Sequence, residues 1–346
     1  MGKTTLFIDY EKIDYNIKYM SKGMEIYLVV KANSYGAGQV SITELIKRGY
    51  KYFAVSTLEE AFVLRRLNKN IEILLLAPIE DTEIKSALDN NIDVTIINFE
   101  QLKLVEDFTK VQIKFDTGMG RIGFSMDDIY KLKDFIGNRH IKGIYSHLAA
   151  AGSDEKSNVQ IDNFKKIVEL FKDNNVEKIH LQNSLGSIKY ELDFVNMKRL
   201  GIGVWGYLSD KEEYEKYGLE LQQSMSLYAN VIQNKYYKGY IGYDHIDYVD
   251  GNVATLRIGY HDFLSRKLRG FEFKDGSKIV GKICMCQTML LVENPIEKKE
   301  IFGPNESIYD LALYTDTIVH EFIARLSDRV KRKNIEIGEK LWIKRK

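Results

Sequence analysis

Through the first two-thirds of the chain, short apolar runs rich in β-branched residues alternate with segments of helical character. The runs occupy residues 26–32, 52–57, 71–77, 93–98, 111–117, 141–149, 178–184 and 194–202. Helical texture fills 58–68, 80–90, 99–109, 126–137 and 158–174 between them. Parallel strands need a crossover of a dozen or more residues, which a helix supplies. Eight such alternations predict an α/β fold, a (β/α)8 TIM-like barrel, with an open doubly wound sheet as the structural alternative. Beyond residue 219 the texture changes. Segments 225–233, 251–257, 278–284, 289–292 and 339–344 alternate or run apolar between Gly-, Asn- and Asp-containing turns, and one helix is expected over 316–326. This is the pattern of a smaller, mainly β C-terminal domain. The expected division is therefore a barrel over 1–219 and a β domain over 220–346.

Charge narrows the function classes. A net charge of +1 with interspersed signs gives no footprint for nucleic acid or for an anionic membrane surface. No stretch approaches the ~18 apolar residues of a membrane span, and the N-terminus has no apolar signal core. Only two cysteines occur, Cys284 and Cys286, too close together for a disulfide framework. A cytoplasmic protein working on small molecules is expected, with no metal centre, nucleic acid or membrane as partner.

Barrel active sites form at the carboxyl ends of the strands. At the first such end, Val29-Val30-Lys31-Ala32-Asn33-Ser34-Tyr35-Gly36-Ala37-Gly38 places a lysine behind a buried run. Lysine is almost never buried unless its amine is paired or covalently used. Desolvation lowers its pKa and frees it as a nucleophile and base. The plain alternative is a lysine whose amine reaches out to water. Asp116-Thr117-Gly118-Met119-Gly120-Arg121 follows the fifth strand, and His147 lies near the end of the sixth. Asn183-Ser184 closes the seventh, and Arg199-Leu200-Gly201-Ile202-Gly203 closes the eighth. Gly-x-Gly-x-x-Gly strings start at Gly118 and Gly201, but neither opens the first βαβ unit of an open sheet, as a dinucleotide fingerprint requires. The second follows the eighth strand, where barrels bind phosphate through loop amides. The first reads as accidental.

These passages resemble the motifs of the alanine racemase family, in order and over nearly the whole chain. The 31–38 segment is similar to the family's cofactor-lysine motif, and Lys114-Phe115-Asp116-Thr117-Gly118-Met119-Gly120-Arg121 to its fifth-strand motif. Gly259-Tyr260 with Asp262, and Gly281-Lys282-Ile283-Cys284-Met285, resemble two motifs of its C-terminal β domain. The resemblance implies an enzyme dependent on pyridoxal 5′-phosphate, acting on a small amino acid as a head-to-tail homodimer. By that carry-over Lys31 holds the cofactor, and Tyr35, Ser184, Gly201 and Ile202 hold its phosphate. Asn183 belongs to the same binding set. Arg199 donates to the pyridine nitrogen and His147 orients Arg199. Tyr260 of the partner subunit faces Lys31 across the substrate Cα. Arg121 and the Met285 backbone take the substrate carboxylate, and Lys114 matches a lysine carbamylated in some members.

The implied reaction interconverts L- and D-alanine by two-base proton transfer. A racemase of another small amino acid, such as serine, and a non-catalytic protein that binds the same cofactor are the alternatives. Four departures bear on the choice. Cys286 replaces the family's usual Asp and His320 its usual Tyr. The Gly259-Tyr260-His261-Asp262-Phe263-Leu264 stretch lacks the Ala and Gly around Asp, and the 148–154 stretch is longer.

Overall fold

The computed structural model describes residues 4–335. Its strands are β1 (Thr5–Ile8), β2 (Glu25–Val29), β3 (Tyr52–Val55), β4 (Glu72–Leu75), β5 (Ile92–Ile96), β6 (Val111–Lys114), β7 (Gly143–Tyr145), β8 (Lys178–His180) and β9 (Met197–Leu200). Then follow β10 (Met225–Ile241), β11 (Asp247–Leu256), β12 (Lys278–Val280), β13 (Thr288–Val292), β14 (Lys298–Phe302) and β15 (Lys331–Asn334). Two compact units result, one of residues 16–34 and 41–204, the other of the residues up to 15, 35–40 and those from 205 onward.

The first unit is the expected barrel. Strands β2 to β9 close in sequence order, every pair parallel, with β9 returning to β2 through Tyr27 opposite Arg199. Strand edges disappear on closure, which removes the unpaired N–H and C=O rows of an open sheet. The crossovers include helices Leu58–Leu67, Asp81–Asp89, Ile129–Ile136 and Asp154–Leu170. Segment 99–109 yields less helix than expected: Phe99–Lys103, then a separate 3₁₀ turn at Phe108–Lys110 capped by the Asp107 side chain.

The barrel interior is more polar than the branched aliphatic filling usual in this fold. Gln112 donates to Tyr27 Oη at 2.8 Å and to Asp93 Oδ2 at 2.9 Å. His180 Nε2 lies 2.7 Å from Gln112 Oε1, and Thr95 and Tyr145 hydroxyls are paired at 2.7 Å. Buried polar groups are tolerated when each finds a partner, and this layer is linked from strand to strand.

The second unit is built on one seven-stranded sheet in the order β12-β13-β11-β10-β1-β15, with β14 also pairing β10. Strand β10 runs well past the 225–233 segment and forms with β11 a long antiparallel hairpin. A bulge between Val231 and Gln233 shifts its register. The N-terminal β1 is a member of this sheet, antiparallel to β10 and parallel to β15. The helix expected over 316–326 is present as Val319–Ala324, and a second helix that the sequence reading did not expect, Ile308–Tyr314, precedes it. Asp316, at a φ of 57°, breaks them apart, because left-handed backbone cannot continue a right-handed helix. The strand expected over 339–344 lies outside the described residues. Among the described residues no helix is long and apolar enough to cross a membrane.

Candidate active site

Strand β2 stops at Val29, and Val30 N–H still pairs with Ala54 O at 2.9 Å. Lys31 therefore stands just beyond the strand, not within it. The next four residues, Ala32, Asn33, Ser34 and Tyr35, have φ of 53°, 54°, 57° and 52°. A left-handed turn of non-glycine residues costs roughly 1–2 kcal/mol per residue. Ser34 N–H donates back to Val30 O at 2.9 Å, and Ala32 N–H donates to Glu60 Oε1 at 2.7 Å. Burial lowers the Lys31 pKa, Arg121 lowers it further, and Glu60 works against both.

After β6 the chain wraps around one carboxylate. Asp116 Oδ1 accepts from the amides of Gly118, Met119 and Gly120 at 2.8–3.0 Å, and Oδ2 from Arg121 N–H at 2.9 Å. Burial pushes the Asp116 pKa up, but these four donors outweigh it and hold the group ionised. As a nucleotide fingerprint the glycine string remains accidental, its amides being spent on Asp116, but the turn itself requires the glycines. Gly118, Gly120 and Gly123 adopt φ of 135°, 71° and 124°, and a Cβ on Gly123 would come within 2.8 Å of Lys114 O. The wrap fixes the backbone that carries Arg121.

Lys114, at the end of β6, is buried, and its Nζ lies 5.6 Å from the Tyr145 ring centroid. Burial first, then Arg121 and Arg199, pull its pKa down to about 8. On β9, Arg199 is almost wholly buried. Its Nη1 donates to His180 Nδ1 at 2.5 Å and His180 O at 3.1 Å. Nη2 reaches Ser146 O, Leu181 O and His147 Nδ1 at 2.5, 3.0 and 3.3 Å. Among the described residues no acceptor is in reach of Nε–H, the one donor of the fork left over. Burial lowers the guanidinium pKa to about 10, still well above neutrality. His147 is held neutral, first by burial and then by Arg199, Arg121, Lys114 and Lys31.

Asn183 caps the helix Ser184–Lys189, its side chain accepting from Gly186 N–H at 2.9 Å and donating to Leu148 O. Ser184 Oγ accepts from both Gly201 N–H and Gly203 N–H, at 3.0 and 3.1 Å. Its own proton is left to donate outward. In the other unit, buried Tyr35 faces His320 with ring centroids 6.1 Å apart. Tyr260 and Met285 are exposed, Tyr260 N–H donating to Cys284 O at 3.0 Å. Cys286 Sγ lies 2.9 Å from Arg329 Nη1.

The barrel mouth thus gathers Lys31, Arg121, Lys114, Arg199, His147, Asn183, Ser184, Gly201 and Ile202. Four cations face two carboxylates, and both of these are engaged by backbone amides. Missed by sequence reading were Glu60, Gln112 and His180. Polar residues two apart in an apolar strand, as at Gln112 and Lys114 or Lys178 and His180, were the signal available.

A parallel barrel that presents a pKa-lowered lysine amid guanidinium, hydroxyl and loop amides is an enzyme scaffold built for anionic ligands. Residues 8–209 match the family described as alanine racemase, N-terminal domain, and residues 224–334 match alanine racemase, C-terminal domain. The chain belongs to the alanine racemase family. It is 32% identical to an alanine racemase of Fusobacterium nucleatum subsp. nucleatum, over 95% of this chain and 99% of that one. Alanine racemase from Bacillus anthracis, solved with bound L-Ala-P, superposes with a TM-score of 0.87 at 28% identity, covering 98% of this chain and 96% of its own. The E. faecalis enzyme gives 0.86 at 25% identity, over 96% and 98%.

Proposed function

We propose that this chain interconverts L- and D-alanine with pyridoxal 5′-phosphate as cofactor, using Lys31 and the partner subunit's Tyr260 as its two bases. The observation that carries the reading is Lys31 itself: a lysine beyond a barrel strand, its pKa lowered by burial and by Arg121.

The residues present fit that cofactor. An aldehyde needs an amine, a ring nitrogen needs a donor, and a phosphate needs several donors in a cationic setting. Lys31 supplies the first, the unspent Nε–H of Arg199 the second, and the Ser184 hydroxyl with Ile202 and Tyr35 the third, while Gly201 N–H, spent on Ser184 Oγ, shapes the loop that carries them. Bound there, the cofactor withdraws electrons from the substrate Cα and so acidifies its proton. Arg199 stays protonated and leaves the ring nitrogen neutral, which restrains that withdrawal and favours prompt return of the proton. His147, neutral, braces Nη2 of Arg199, and Asn183 holds the Ser184 loop in place. Arg121 takes the substrate carboxylate with the partner subunit's Met285 backbone, and Lys114 beside it is the proposed carbamylation site. Lys31 takes or returns the proton on one face of Cα and Tyr260 of the partner subunit on the other.

Two subunits in one homodimer and a cytoplasmic setting complete the proposal, with the β domain, which holds the N-terminal strand β1 besides the residues from 205 onward, reaching the partner's site. The two unpaired thiols, Cys284 and Cys286, are in keeping with that setting. A chiral assay of purified protein with added cofactor tests it. Equal end mixtures from L- and D-alanine are expected, and no interconversion from either side rejects the reading.

A further inference from the structure

Glu60 lies on the helix Leu58–Leu67, one barrel strand away from Lys31, and forms a capping box with Thr57. A capping box needs the carboxylate only for the amides at its own helix start. Here Oε2 serves that purpose, accepting from Ser56 N–H at 3.0 Å, Ser56 Oγ at 3.2 Å and Thr57 N–H at 3.4 Å. Oε1 leaves the helix altogether and accepts from Ala32 N–H at 2.7 Å, the first residue of the left-handed turn after Lys31.

We infer that Glu60 is a positioning residue for Lys31, one carboxylate joining the start of the second barrel helix to the turn that presents the amine. The inference rests on the reading of Lys31 given above. The strained turn needs an external hold, and a charged acceptor on a folded helix start is a strong one. A glutamine cannot replace it. Whichever way its amide is turned, an NH2 group meets either Ala32 N–H or the Ser56 and Thr57 amides. Charge adds to geometry. Lys31 faces Arg121 and Glu60, with Lys114, Arg199 and His147 at other strand ends of the same rim, and among the described residues Glu60 is the one anion acting on it. Its removal leaves the cations unopposed and moves the Lys31 titration further toward acid.

The test is competitive acetylation with acetic anhydride across pH, together with amide hydrogen exchange at Ala32. Both use the full chain without added pyridoxal phosphate, in wild type, Glu60→Gln and Thr57→Ala. Glu60→Gln is expected to shift the Lys31 labelling profile to lower pH and to speed labelling several-fold at neutrality. Ala32 exchange should rise at least about tenfold, the loss of one hydrogen bond to a charged acceptor. Thr57→Ala, which weakens only the cap, should leave both readouts at wild type. An unchanged Lys31 profile in Glu60→Gln, or equal changes in Thr57→Ala, overturns the inference. Should Glu60→Gln not fold, Ala32 exchange in Glu60→Asp, whose shorter arm cannot span both loops, decides in the same way. If wild-type Lys31 labels like a surface lysine, the reading of Lys31 fails; if only the variants behave alike, Glu60 alone is rejected.

Discussion

Arg199 Nη1 donates to His180 Nδ1, and the opposite ring nitrogen of His180 faces Gln112 Oε1. The direction of that chain is set three strands away. Gln112 spends both amide protons, on Tyr27 Oη and on the Asp93 carboxylate, so only its oxygen can face His180. His180 must therefore carry its proton on Nε2 and offer a bare Nδ1 to Arg199. Burial, with Arg199 and Lys178, keeps the imidazole neutral. The guanidinium is held by a line of groups that begins at Asp93.

Replacing Gln112 with leucine leaves His180 Nε2–H and the Asp93 carboxylate without their partner. Each stranded polar group costs about 1–3 kcal/mol. A lowered midpoint in denaturant unfolding at unchanged slope is expected; a midpoint equal to wild type would mean that the interior layer holds without Gln112.

Asp93 gives a pH signature. Burial raises its pKa from 3.8 to about 6, against the pull of Gln112 and Lys178. A folded-state pKa raised above the unfolded one means the native state binds the extra proton, so stability is present below about 4 and lost as pH climbs through about 6. Asp93→Asn removes that titration while keeping an oxygen for Gln112. Thermal midpoints measured from pH 4 to 7 should fall less steeply with rising pH in the variant. Parallel slopes would assign the titration to another group.

Much of this was legible in the strand–helix rhythm and the strand-end residues, because barrel topology sends every strand's carboxyl end to one rim. Lys31, Arg121, His147, Ser184 and Arg199 stand on that rim and were found. The interior was not, since Gln112 and His180 hide in strands that read as apolar and their partners lie 68 or more residues apart in places. The turn after Lys31 was equally silent, for Ala32 and Ser34 have no propensity for left-handed backbone and are held there by Val30 and Glu60. Strand β1 escaped because four residues are too few for periodicity, and its pairing with β10 bridges more than two hundred residues of sequence.

If the two bases come from different subunits, they can be separated and recombined. Lys31→Ala and Tyr260→Phe homodimers should each be inactive. Mixed under subunit exchange, they should recover racemisation, since one site in each heterodimer keeps both bases. Proven exchange without recovery would place both bases in one chain.

The bases should also divide the reaction by direction, the partner subunit's Tyr260 taking the proton of L-alanine and Lys31 that of D-alanine. In Tyr260→Phe, solvent deuterium should enter D-alanine far faster than L-alanine. Equal loss from both isomers would contradict the assignment.

The central claim is that the amine of Lys31 carries the cofactor, and borohydride reduction tests it most directly. The reductant fixes pyridoxal phosphate to whichever lysine holds it, and peptide mapping then reads the position. The label is predicted on Lys31 alone, absent in Lys31→Ala; a label on another lysine, or none at all in cofactor-saturated wild type, would contradict the account.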